Sequence, residues 1–375
     1  MEPHHGLAAR LRAIATEAGL AGFGICAADP FPEVREEIER RVAEGSHGGL
    51  GFTYAGPDAA TDVGSSFPWA VSLVVGAAAY LPPAGSPGPP MPGTGRIARF
   101  ATEDHYRPLR EALSRVAAAL AGAGFRAEVL VDDGRLVDRA AAVRAGVGWW
   151  GRSTMVLAPG AGPWLLLGSV VTDARLPTGR PMVRDCGTCT ACVPACPTGA
   201  LDVPGRLDAR RCLSAIAQSP GVIPAEFRAA MGDRVYGCDD CLEACPPGRR
   251  LLEAAAVERG RVDLVEILAA DDRTLLRRFS HFYVPRRRAR YLRRNALVAL
   301  GNAGGPAAVP VAAGFAGHPD PLLRAHAVWA LGALGGPVAL AALAAAAARE
   351  RDPLAAAEAA AALEAAPGPG SNGSR

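Results

Sequence analysis

The stretch Cys186-Gly-Thr-Cys189-Thr-Ala-Cys192-Val-Pro-Ala-Cys196-Pro197 decides how this chain is read. Its spacing, C-x2-C-x2-C-x3-C-P, is the run that holds 4Fe–4S clusters in bacterial ferredoxins. Two-residue gaps let one loop wrap a cube and set three thiolates on three irons. The fourth Cys turns toward another cluster, and the Pro after it stops the loop from continuing as a helix. A second run follows, Cys238-x2-Cys241-x3-Cys245-Pro246, with Cys212 between the two. By that logic Cys186, Cys189, Cys192 and Cys245 serve one cluster. Cys238, Cys241 and Cys196 serve the other, and Cys212 completes it. Eight thiolates then meet two cubes with none left over. The alternative is a pair of four-cysteine zinc sites, but zinc has no need of three Cys within seven residues followed by Cys-Pro.

The ninth cysteine, Cys26, stands apart and reads as a buried apolar thiol. A tight Cys cluster points to metal rather than disulfides, because the N-terminus has no basic start followed by an apolar run. The expected compartment is a reducing cytoplasm. At 375 residues, 50% apolar and 21% charged, the chain is expected to be a soluble protein of two or three domains. Its longest nearly uncharged apolar stretches, Ala70 to Leu81 and Val338 to Ala348, are too short to span a bilayer as a helix, so no membrane is expected as a partner. All 40 basic residues are Arg. With no Lys, a Schiff base or a P-loop lysine is excluded.

Toward the N-terminus the periodicity alternates. Residues 7–20, 33–44, 106–123 and 136–145 read as helices. Residues 22–26, 70–79, 127–131 and 165–171 read as strands. Residues 82–95 read as a Pro/Gly loop. The sum is a mixed α/β domain over residues 1–178. The Cys-rich segment 179–255 has few long apolar runs, so bound clusters would have to supply its stability. Toward the C-terminus, RRNALVALGNAGGP (293–306) matches RAHAVWALGALGGP (324–337) at an offset of 31 residues, with a weaker copy at 356–366. That period predicts all-α HEAT-like repeats over 256–366, followed by a disordered tail at 367–375. Gly146-x-Gly148-x-x-Gly151 satisfies the dinucleotide fingerprint literally. It follows a helical run rather than a strand and encloses Trp149 and Trp150, so it reads as a turn with aromatic packing.

The cluster region, CGTCTACVPACPTGALDVPGRLDARRCLSAI and then YGCDDCLEACPPG, resembles the epoxyqueuosine reductase family. So do GRIARFATEDHYRPLREAL (95–113), VLVDDGRLVDRAAAVRAGVGWWGRSTMVL (129–157) and HFYVPRRRARYLRRNALVALGN (281–302). The resemblance implies two-electron reduction of the epoxide of epoxyqueuosine to queuosine at the tRNA wobble position. It implies cobalamin in the 1–178 domain, a ferredoxin-like two-cluster 4Fe–4S domain, and electrons passing from an unidentified donor through the clusters to the cobalt. The position matching the family's proton donor is Asp132. Its pKa must be raised for it to act as an acid near neutral pH. Arg99, Asp132 and Val156 fall on the family's cobalamin-contacting segments. His47 also matches a family segment but is not expected to ligate cobalt. A monomer is expected.

Three departures touch the pocket. Arg135 and Asp138 replace the Pro and Glu of the family's VD-x-x-P-x-x-ER block. Ala217 and Ser219 stand where a Thr and a Glu usually follow the fourth-ligand Cys. The stretch after Tyr54 lacks the family's Arg-rich pattern.

Arg273 to Arg294 contains nine Arg and no acid, interleaved with Phe279, His281, Phe282, Tyr283 and Tyr291. Guanidinium forks suit phosphates and both side-chain types stack on bases. Arg286, Arg287, Arg288, Arg290, Arg293 and Arg294 are therefore the expected contacts to a tRNA anticodon stem-loop; the alternative is a solvated helix face. Two other readings stay open. One is a reductive dehalogenase-like corrinoid enzyme with a small-molecule substrate. The other is a cobalamin-free iron–sulfur electron carrier.

Overall fold

The structure, a computed structural model, describes residues 3–81, 93–255 and 260–366. The expected tail at 367–375 and most of the 82–95 loop lie outside the described residues. Among the described residues the strands are β1 Gly22–Ala27, β2 Ser72–Ala79, β3 Thr94–Ile97, β4 Ala127–Val131, β5 Trp149–Trp150, β6 Val156–Leu157, β7 Leu165–Thr172, β8 Arg234–Tyr236 and β9 Gly260–Asp263. The chain forms two compact units, each assembled from separated stretches. The first comprises Met1–Pro87, Glu103–Cys212 and Asp239–Val257. The second comprises Gly88–Thr102, Leu213–Cys238 and Glu258–Arg375.

The first unit is built on a four-stranded sheet in the order β1-β2-β7-β4, antiparallel at each pairing. The helix Tyr106–Gly122 buries Leu109, Ala112, Leu113, Val116 and Leu120, a stripe at helical spacing that packs on this sheet. Gly76 and Gly168 sit opposite each other in the β2–β7 register. A Cβ on either would come within 2.9 Å of Leu113, so the paired glycines form the hollow that receives that leucine. The helix Asp138–Arg144 also packs on β2 and β7, with Ala140, Ala141 and Ala142 buried. Cys26 is 1% exposed, donates to the Ala141 carbonyl at 3.8 Å and has its thiol pushed up to about 12 by burial. It is an inert core residue.

The glycine-rich stretch before Arg152 forms more than a turn. Trp149–Trp150 pairs with Val156–Leu157 as a two-residue hairpin. A Cβ on Gly148 would lie 2.3 Å from the Leu157 carbonyl oxygen, so these glycines serve close strand packing and not phosphate access.

The second unit carries a three-stranded sheet, β8-β3-β9, and the helical repeats. Thr94 and Gly95, placed in a loop by their composition, open strand β3 instead. A Cβ on Gly95 would lie 2.5 Å from Val235, so the residue that looked like a loop former is there for tight packing. The helices Arg290–Ala303 and Pro321–Leu334 have the same length and the same 31-residue offset as the sequence match. Asp320-Pro321 and Asp352-Pro353 each open a helix. The Asp side chain accepts from the first-turn amides and the Pro occupies the position that needs no donor. No helix among the described residues is long and apolar enough to cross a membrane.

Candidate functional site

Between β7 and the helix Leu213–Gln218 the chain has no regular helix or strand. Turns instead set the thiols: Cys189 N donates to Cys186 O at 3.0 Å, and Cys196 N to Val193 O at 3.2 Å. Gly187 and Gly199 adopt φ of 53° and 62°, which lets the loop reverse tightly. The Ala200 amide donates to Cys196 Sγ at 3.2 Å, a bond of the kind that stabilises a thiolate and tunes a cluster.

Cys245, far along the chain, is brought beside the first three cysteines. Its thiol is pushed up by burial and then by Cys186, Cys192 and Cys189. The Cys192 thiol is pushed up by burial and by Cys186 and Cys189. Four thiols brought this close form a donor set suited to a metal centre, whose charge favours deprotonation. Cys196, Cys212, Cys238 and Cys241 are each half-buried. Cys238 packs on the apolar cluster of Leu213, Ile216, Ala217, Ile223, Met231 and Val298.

Asp132 follows directly on β4 with φ of 54°, an uncommon conformation for a residue other than glycine. It is held there by its neighbour. Asp133 accepts from the Arg135 amide at 2.9 Å and from its guanidinium Nη2 at 2.6 Å. The Arg135 guanidinium also lies 5.0 Å from the Phe67 ring centre. The two adjacent acids are thereby pushed apart. Burial raises Asp132, with Arg110 opposing and Asp133 reinforcing, while the hydrogen bond from Arg135 lowers Asp133. Such a divergence separates a proton donor from a fixed anion.

Asp138 is one of the pocket departures read from the sequence, and Arg139 ends the same block. Asp138 is raised well above the carboxylate range by burial and then by Asp132 and Asp133. Arg139 is lowered by burial, with Tyr106 and Tyr54 opposing. Arg139 Nη1 donates to the Thr154 carbonyl at 3.3 Å. Asp132 and Arg139 are accessible to water, and Asp138 partly so, yet desolvation dominates all three. Titratable groups shifted in this way mark a candidate functional site. Asp138 Oδ1 and His47 Nδ1 are buried atoms with no hydrogen-bond partner, and the His47 ring lies 5.5 Å from Tyr54. Val156 is buried in β6. Arg99 is buried, 6% exposed, in the second unit.

The arginine segment divides. Arg286 and Arg288 are exposed. Arg287 is exposed but donates to the Leu276 carbonyl at 2.9 Å, and Arg290 pairs with Asp320 at 3.2 Å. Two of the expected tRNA contacts are corrected. Arg293 is 9% exposed and bonds Asp272 at 2.6 Å and the Ala270 carbonyl. Arg294 is 1% exposed and spends its guanidinium on protein acceptors, among them the Ser219 and Gly221 carbonyls. The acids that balance this segment come from outside it, which a local charge count does not show.

Residues 185–248 match a family described as a 4Fe–4S double cluster binding domain, and residues 286–364 match HEAT repeats. The chain is 32% identical over 317 residues to an epoxyqueuosine reductase of Aliivibrio fischeri, covering 79% of this chain and 83% of that one. It is 32% identical over 329 residues to that of Staphylococcus aureus, covering 84% and 85%. The chain belongs to the epoxyqueuosine reductase family. Solved epoxyqueuosine reductases share its fold. One, with an epoxyqueuosine-modified tRNA-Tyr stem loop, superposes with a TM-score of 0.87 at 30% identity, covering 96% of this chain and 98% of that one. Another, from Bacillus subtilis, has its catalytic aspartate loop swung out of the active site and superposes with a TM-score of 0.86 at 29% identity, covering 96% and 99%. Within the epoxyqueuosine reductase family, then, this member has a 4Fe–4S double-cluster segment and a HEAT-repeat segment.

Proposed function

We propose that this protein reduces epoxyqueuosine to queuosine in tRNA, with Asp132 as the acid. Family membership over most of the chain carries the reading, and the two adjacent acids of opposed pKa support it. Cys186, Cys189, Cys192 and Cys245 hold one 4Fe–4S cluster. Cys196, Cys212, Cys238 and Cys241 hold the other. A one-electron donor feeds them, and the protein acts as a cytoplasmic monomer.

Cobalamin is the further cofactor of this reading. The first unit's residues fit it chemically, because Asp138 Oδ1 and His47 Nδ1 lack internal partners and a corrin carries amides that can supply them. When bound, the corrin supplies a strongly reducing cobalt for breaking the epoxide C–O bond. The chain's own residues do the rest. Asp132 holds a proton at its carboxyl until the leaving oxygen needs it. Asp133, kept ionised by Arg135, fixes the loop. Arg286 and Arg288 present their guanidinium groups to the phosphates of the anticodon stem-loop. Val156 serves the corrin.

Deoxygenation of an epoxide to an alkene takes two electrons and two protons and releases water. An anaerobic assay on tRNA bearing epoxyqueuosine, with reductant and cobalamin supplied, tests the reading. Queuosine is the expected product. A preparation with full cluster content that leaves the epoxide intact rejects it.

A further inference from the structure

Asn295 lies in the RRN motif that composition assigned to nucleic acid, yet it is fully buried. Its amide is bonded at every position. Nδ2 donates to the Ala217 carbonyl at 2.8 Å and to the Val235 carbonyl at 2.9 Å. Oδ1 accepts from Arg294 Nε at 3.0 Å and Nη2 at 2.9 Å. The same Arg294 donates to the carbonyls of Ser219 at 2.8 Å and Gly221 at 2.6 Å, so the pair covers the end of the helix Leu213–Gln218.

The two carbonyls that Asn295 joins belong to different chain segments. Ala217 is in the helix that begins immediately after Cys212. Val235 is in β8, which ends two residues before Cys238. A second tie joins the same segments, since Tyr236 Oη donates to Gln218 Oε1 at 3.1 Å. Cys238 packs on the apolar cluster that includes Leu213, the neighbour of Cys212.

We infer that Asn295 is a positioning residue for the second 4Fe–4S cluster: its carboxamide locks the helix that follows Cys212 to the strand that precedes Cys238. The inference rests on the assignment of those two cysteines to that cluster. A cubane needs its thiolates at set separations, and a ligand at the end of an unsecured segment loses that geometry. An amide is the group that serves here. It offers two donors to two carbonyls and an acceptor to Arg294. Aspartate of the same shape offers no donor: the Val235 carbonyl loses the amide that bonds it, and the Ala217 carbonyl keeps only the 3.3 Å bond from Arg294 Nη2.

The test compares Asn295→Asp and Cys212→Ser with the wild-type protein, purified anaerobically and reconstituted with iron and sulfide. Iron per chain and the reduced-state EPR spectrum are the readouts. Wild type should hold about eight irons. Asn295→Asp should fall to about four and lose the same EPR component that Cys212→Ser loses, while keeping the other. That retained signal also shows that the chain has folded. Asn295→Asp with both clusters and a wild-type spectrum overturns the inference, and so does loss of both clusters together. Cys212→Ser that keeps about eight irons rejects the ligand assignment itself, and the inference falls with it.

Discussion

Arg228 and Glu358 form a bidentate ion pair in the second unit, with both Nη–Oε distances at 2.6 Å. The arginine side chain is wholly buried and the carboxylate nearly so. Arg228 also donates to the Ile223 carbonyl and lies 5.6 Å from the Trp329 ring centre. The pair therefore ties the last repeat helix to the segment between Cys212 and Cys238. Removing one partner leaves a buried charge alone, which costs about 3–5 kcal/mol. Glu358→Ala should lower the denaturation midpoint accordingly. A midpoint within error of wild type would show that the pair contributes nothing net.

Asp132 carries a pH dependence. Burial raises its folded pKa, so turnover should be highest at low pH and fall as pH rises through that raised value. Asp132→Asn should cut turnover by about 10²–10⁴-fold with unchanged iron content, measured by queuosine formation. Undiminished turnover would remove Asp132 as the acid.

Asp138 has a stability signature of the opposite sign to a salt-bridged acid. Its folded pKa lies above the unfolded value, so the charged form is the penalised one. Stability is fully present below the unfolded pKa and declines as pH rises through the folded pKa. Asp138→Asn should therefore melt higher than wild type at neutral pH, with the gap closing below the ordinary carboxylate range. Parallel melting curves at all pH values would contradict this.

Glu350 behaves the usual way. Arg324 bonds it at 2.7 and 2.9 Å, and its pKa is pulled down to about 2. Its contribution is present above the unfolded value near 4.3 and is lost as pH falls through about 2. Glu350→Gln should cost stability at neutral pH and nothing in strong acid. Urea titrations at the two pH values measure the difference.

The exposed and buried arginines should separate in binding experiments. Arg286→Glu with Arg288→Glu should weaken tRNA binding and lower the salt slope by about one for each phosphate no longer neutralised, leaving the melting temperature unchanged. Arg294→Glu should destabilise the chain, because it removes the donors to buried carbonyls. Unchanged affinity in the double variant would move the tRNA surface elsewhere.

The sequence by itself determined the cluster chemistry, the four strands of the first unit's sheet and the repeat. Cysteine spacing, alternation and the 31-residue offset are local patterns, and each reports a local geometric requirement. Asp132 became a candidate through its family block and not through any property of a lone Asp before Gly134. Only the tertiary structure decided what the arginines do. Charge counted along a segment cannot see Asp272 or Asp320 folding back onto it, nor the carbonyls that take up Arg294. The same holds for Asp138, Arg139 and Asn295. Burial and the identity of a partner far along the chain belong to the fold, and for a polar side chain those two quantities separate a surface contact from an internal brace.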